Sequence, residues 1–256
     1  MAETSTALAN AALANLGHQR EITTLATDTT AEAKACRRFY DRVIRQVLAA
    51  YPWPFAQKVA ALTLVEALTG ATDEWAYKYR LPEDCVQPQR LKLAGVRSLR
   101  RESQPAFETA RDTDSTAWAS GTTYAASEYA SVTSGSTTTW YRALRETIGD
   151  APASSALDWV AITGTPPQWL FCHLEDAELE YTQLVTDPRE FSPGFEAAAA
   201  ALLAFYVAPS VTKGERDLQA RMGALYEAEL ATATMVAENA QLPEPDPDSD
   251  FEAARR

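Results

Sequence analysis

The sequence predicts an α+β protein: mainly an α-helical bundle of long antiparallel helices, with a small β-sheet and an inserted small β domain. Three observations carry this. Both ends hold alanine-rich stretches with apolar residues at helical steps, several stretches between them alternate like strands, and residues 118–132, WASGTTYAASEYASV, alternate small, hydroxyl and aromatic residues with no helical period.

The first helix spans about 5–16, where Leu8, Leu13 and Leu16 sit among alanines and Gly17 supplies the stop. A stronger helix starts at Thr29, since Thr29 and Glu32 have the S/T-x-x-E spacing of a capping box. Ala33, Cys36, Tyr40, Val43 and Val47 then recur at three- and four-residue steps over about five turns, with Arg37, Arg38, Arg42 and Arg45 turned outward or toward a partner. Pro52 and Pro54 stop the helix near Tyr51. AALTLVEAL is compatible with strand or short helix. WAYKYRLP reads as a half-buried strand with Trp75, Tyr77 and Tyr79 on one face, ended by Pro82. QRLKLAGVRSLRRE, QPAFETARD and WLFCHLEDAELEYTQL supply further short strands or irregular sheet. Helix returns at Ser192, an N-cap followed by Pro193, and runs until Pro209 breaks it. A last helix covers about 213–241, with Leu218, Met222, Leu225, Tyr226 and Leu230 on its apolar stripe.

Three divisions follow. Residues 1–111 and 168–241 form a discontinuous helical domain with a small sheet. Residues 112–167 form an inserted β module, because strand-like sequence continues on both sides of them. Residues 242–256, LPEPDPDSDFEAARR, are Pro-rich and acidic, cannot bury enough apolar surface to fold alone, and read as a flexible exposed tail.

The bulk composition narrows the function classes. With 46% hydrophobic residues and no run near the roughly 20 apolar residues of a bilayer span, no membrane partner is expected. The N-terminus lacks a basic and a strongly apolar region, so no signal peptide is expected. Cys36, Cys85 and Cys172 are odd in number and widely spaced, which favours a reducing compartment. A net charge of −12 disfavours gripping nucleic acid by phosphate neutralisation, though not letting it slide past.

Catalytic constellations are not assembled. His18 and His173 have no partner at metal-ligand spacing, and no nucleophile elbow or phosphate loop appears. TKGERD at 212–217 lacks the second glycine of a phosphate loop. Glu175, Asp176, Glu178 and Glu180 read as a solvated strand edge, and Cys36 as a buried thiol. The expectation is a protein that is not an enzyme and needs no cofactor or metal.

The order of these features resembles the head-to-tail adaptor proteins of tailed phages, in particular the tail tubular protein A type of short-tailed phages. The resemblance rests on Leu16-Gly17 before a long helix, on Trp53, Phe55 and Ala56 behind Pro52, and on Tyr79, Leu81, Pro82, Asp84 and Cys85 at a strand end. It continues in Tyr181, Asp187, Phe191, Phe195 and Thr212, and covers about residues 5–91 and 168–240. It implies a ring, typically dodecameric, beneath the portal of a filled capsid, joining portal to tail nozzle or next neck protein and leaving a channel through which DNA passes. It implies a virion component made in the host bacterial cytoplasm, with no catalytic activity and no cofactor. The tail then becomes the candidate portal-docking segment, with Leu242, Pro243, Arg255 and Arg256 around Phe251 as anchor.

The central segment has a resemblance of its own. Trp118, Gly121, Thr122, Tyr124, Val132, Tyr141, Pro152 and Trp159 are similar to the pattern of small chitin- and carbohydrate-binding modules. Ser127, Glu128 and Tyr129 stand where that pattern has G-D-x-V. Trp118, Tyr141 and Trp159 are expected as the core of a tiny domain. Tyr124, Tyr129 and Trp140 are the candidates for contacting a glycan or a protein. A glycan-binding virion surface protein presenting this module is therefore the alternative reading.

Overall fold

The structure, a computed structural model, describes residues 4–19, 21–69, 74–93, 104–111, 117–126, 128–134, 137–162, 168–212 and 216–240. Of these, 39% are helical and 30% lie in strands, arranged as four helices and four sheets. The protein is therefore α and β in comparable measure, which corrects the expectation of a mainly helical bundle. The strands escaped weight because they are short and half-exposed, so each carries a weak period-two signal beside long alanine helices. The chain divides into two compact units, one of Met1–Ala60, Asp84–Gln104 and Glu178–Arg256, the other of Ala61–Glu83 and Pro105–Ala177.

In the first unit, α1 (Ser5–Asn15) is capped by the Thr4 hydroxyl, which accepts from Ala7 N at 3.1 Å. Gly17 ends it at φ +73°, a left-handed backbone that lets Gly17 N and His18 N reach the carbonyls of Ala14 and Leu13. Helix α2 (Ala31–Ala50) is capped by Thr30 and not Thr29. Asp28 Oδ1 holds Thr30 N at 2.9 Å, and the Thr30 hydroxyl accepts from Ala33 N. Glu32 does not close a capping box; it lies 3.4 Å from His18 Nε2. Beyond the C-cap Tyr51, Trp53 folds back and donates its indole N–H to the Val47 carbonyl at 2.8 Å.

Helix α3 (Pro193–Val211) starts as expected, with Ser192 accepting from Phe195 N. Pro209 does not break it. The Phe205 carbonyl, which a proline four residues on cannot bond, receives Gln219 Nε2 at 3.4 Å from α4 (Arg216–Ala240). By length and composition α3 meets the measure of a membrane-spanning helix, contrary to the reading of the sequence as lacking such a run. Ten of its residues, from Phe195 to Ala208, are buried within this unit, as the central helix of a core requires. Helices α3 and α4 run antiparallel, with Gly194 against Ala233 and Gly223 against Phe205.

This unit also holds a three-stranded sheet of order β1-β12-β4, formed by β1 (Gln57–Ala61), β12 (Ala177–Gln183) and β4 (Cys85–Leu93). Trp53, Phe55, Phe191 and Phe195 join its ends to the helices through ring contacts of 4.6–6.2 Å.

The second unit contains a four-stranded antiparallel sheet of order β2-β3-β11-β5: β2 (Thr63–Ala67), β3 (Tyr77–Arg80), β11 (Gln168–Cys172) and β5 (Phe107–Arg111). AALTLVEAL thus divides between β1 and β2. Tyr79, Leu170 and Cys172 are buried on one face. Arg111 pairs with Gln168, so residues 112–167 leave and re-enter at facing positions of two hydrogen-bonded strands. Within them, β6 (Thr123–Tyr124) pairs with β9 (Thr147–Ile148), while β7 (Tyr129–Ser134), β8 (Thr137–Ala143) and β10 (Trp159–Ile162) form a sheet of order β10-β8-β7.

Candidate contact surface on the inserted module

Register decides which side chains of the module share a face, because residues directly opposite in a ladder point the same way. Ala130 pairs with Tyr141, which pairs with Ala161, and Ala143 pairs with Trp159. Tyr124, Ala130, Ala143 and Trp159 are buried on that face, with Trp118 and Tyr141 packed against them. The Trp159 indole N–H donates to the Asp150 carbonyl at 2.9 Å. The tight turn before it uses Gly149 at φ +81°.

Tyr124 therefore belongs to the core: its ring meets Trp159 edge-on at 5.1 Å, and its oxygen accepts from Ala119 N. A glycan cannot stack on a ring enclosed on this face.

The opposite face carries Tyr129 beside Arg142 and Val160, then Ser131 beside Trp140 and Ile162. Its two ends differ. At the first, Tyr129 is buried and donates its hydroxyl to Glu83 at 2.8 Å; Arg142 Nη1 lies 3.1 Å from the same carboxylate. The Arg80 guanidinium sits over the Tyr129 ring at 4.6 Å and near Trp169 at 5.5 Å, with Lys78 over Trp169 at 4.6 Å. Burial, reinforced by Glu83, pushes the Tyr129 phenol up to about 12. This end is a joint between the module and the strand end it springs beside.

Beyond the Tyr129–Arg142 row, at this same end of the ladder, Leu144 is exposed and Asp158 receives Arg145 and Ser155, which fixes the start of β10. At the second end Trp140 and Ile162 are half-buried, and Val160, next to Ile162 on the same face of β10, is exposed. The result is a short aromatic and aliphatic strip on a framework of paired strands, suited to packing against another surface. Of the three sequence candidates, Trp140 alone is placed for such contact. The Arg80–Glu83–Arg142 joint was not anticipated; its signal is a pair of opposite charges flanking the Leu81-Pro82 strand end.

In the other unit, Lys58 Nζ and the Tyr181 hydroxyl converge on Asp84 at 2.7 and 2.8 Å. Glu180, read from sequence as part of a solvated edge, is instead buried and paired with Arg90 and Lys92. Both cations meet its Oε2 from the neighbouring strand β4, whereas Glu175 and Asp176 remain exposed. In the unit that carries the module, the His173 ring lies tilted against Trp75 at 5.0 Å. Leu242, Pro243, Phe251, Arg255 and Arg256 lie outside the described residues. Among the described residues no group of three or more His, Cys, Asp or Glu side chains is placed to hold a metal ion. No protein-family model matches the chain, and no curated protein matches it.

Proposed function

We propose that this chain is a structural head-to-tail adaptor of a tailed bacteriophage. It forms a ring below the portal, connects capsid to tail, and leaves a channel for the genome. One observation carries the reading: the residues behind the adaptor resemblance, drawn from two distant blocks of sequence, hold each other. Trp53 and Phe55 of the first block each meet Phe195 of the second at 5.3 Å, and Tyr181 of the second bonds Asp84 of the first. Asp187 caps the turn before α3, and the Thr212 hydroxyl bonds the Ala208 carbonyl at its end. Such mutual support is what a shared framework requires of its defining residues. The acidic balance suits a conduit that DNA passes without adhering.

The test is assembly. The full chain, alone and with portal rings of the same virus, is imaged by negative-stain microscopy and weighed by native mass spectrometry. A closed ring with a central opening that stacks on portal rings is the expected result. A chain that stays monomeric in both conditions overturns the reading. Trp140 on an open face supports the alternative, a virion surface protein that binds glycan through the module. Retention on chitin or cell-wall glycan by a monomer, lost on Trp140→Ala, favours that alternative.

A further inference from the structure

The helical unit has a groove of about 560 Å3 between α1, α3 and α4, lined in part by Ala7, Ala11, Ala197, Glu196, Leu225 and Glu229. Its floor is small and apolar, and carboxylates stand on its walls. That combination suits an arginine, whose methylene stem lies along apolar surface while its guanidinium meets a carboxylate.

The same unit carries the complementary surface. Helix α2 has five basic against two acidic residues in a chain whose net charge is −12. Arg37 is used internally, on the carbonyls of Leu25 and Asp28, and Arg42 lies over the Tyr206 ring at 4.9 Å. Arg38 is exposed and Arg45 half-exposed, two helical turns apart on α2. Neither makes an ion pair among the described residues. Helix α2 meets α3 through the stack of Phe39 on Tyr206 at 5.4 Å, whereas Ala197 lies about half a turn around α3 from Tyr206. The basic face and the acidic groove are thus on different sides of one unit, and the face cannot fill its own groove.

We infer that the groove receives the α2 basic face of a second copy, with Arg38 and Arg45 entering it. This rests on the ring reading above and supplies the subunit contact. Because two different patches meet, the contact is head-to-tail, the kind that closes into a ring when its rotation divides a full turn.

Two variants test it: Arg38→Glu/Arg45→Glu, which makes the inserted face acidic, and Glu196→Arg/Glu229→Arg, which makes the groove basic. Each retains wild-type far-UV circular dichroism, since the altered side chains are not buried. Each alone is expected to lose ring assembly in native mass spectrometry and negative stain. Mixed in equal amounts they are expected to form rings again, because each acidic face then meets a basic groove and each basic face an acidic one. Wild-type rings that persist unchanged in both variants, or variants that lose rings and do not recover on mixing, overturn the inference and leave the ring reading standing. A wild-type chain that forms no ring overturns both.

Discussion

Tyr181 donates its hydroxyl hydrogen to Oδ1 of Asp84 at 2.8 Å, across 97 positions of chain, while Lys58 Nζ lies 2.7 Å from Oδ2. Partial burial works against the Asp84 charge, but hydrogen bonds from Lys58 and Tyr181 outweigh it and hold the carboxyl below its usual range. Glu180 follows the same rule: burial opposes its charge, and Arg90 and Lys92 overcome it. A carboxyl whose folded pKa is depressed contributes stability that is complete above its unfolded pKa and lost as pH falls through the folded one. Thermal melts of the protein are therefore expected to be flat above about pH 5.5 and to fall steeply below about pH 4. Tyr181→Phe lowers stability by about 1 kcal/mol at neutral pH and reduces the acid dependence. A melting curve for Tyr181→Phe that matches wild type at pH 7 and pH 3.5 would show the contact to be idle.

At Gly194 helices α3 and α4 approach closely. A Cβ there would stand 2.7 Å from Ala233 Cβ and 3.1 Å from Ala233 Cα, the latter belonging to backbone that cannot rotate away. Gly194→Ala is expected to destabilise by about 1–3 kcal/mol despite its gain in helix propensity. Ala233→Gly in the same chain is expected to restore part of that loss, giving a coupling of about 1 kcal/mol in a double-mutant cycle. Chemical denaturation of the four proteins measures it.

Trp159 and Trp140 separate packing from contact within the module. Trp159 is buried and bonded through its indole, so Trp159→Ala costs about 3–5 kcal/mol and unfolds the module locally, seen as lost amide protection in hydrogen exchange. Trp140 stands on the open face, and Trp140→Ala is expected to change stability by about 1 kcal/mol or less. Its effect appears instead in whatever binding the module performs. Equal loss of protection in the two variants contradicts this division.

The thiols are expected to be inert in the folded protein. Cys36 and Cys172 are buried; burial, aided by Glu32, raises the Cys36 thiol to about 11. Burial and the Asp84 charge raise Cys85 to about 12. At pH 8 a thiol with pKa near 11 is ionised in only about one molecule in a thousand. Ellman's reagent should therefore find no fast-reacting thiol at pH 8 without denaturant, and three in denaturant. A stoichiometric burst from the native protein is the contrary result.

Signals confined to a few neighbouring residues were legible without coordinates. Ser192 with Pro193, Gly17, and the Pro52–Pro54 stop each act through backbone groups within about four positions, so the residues alone determine where those helices begin and end. Strand character in FETARD and QWLFC, on both sides of 112–167, was also readable, but not that β5 and β11 pair with each other. Even here adjacent alternatives escaped local reading: Thr29 and Thr30 are chemically equal as caps, and Asp28 decides between them. Pro209 passes through α3 only because Gln219 of another helix takes the orphaned carbonyl. Strand partners were beyond reach for the same reason. Whether Glu180 is solvated or paired depends on Arg90 and Lys92, 90 and 88 positions away. Tyr124 and Trp140 are equivalent aromatics in sequence, yet ladder register sends one into the core and the other to the open face. The sequence by itself determined where helix and strand character lie, some of the helix starts and stops, and the residues able to form a core. The tertiary structure alone decided which strands pair, which faces close and which charges meet, because burial and pairing belong to partners brought together from far along the chain.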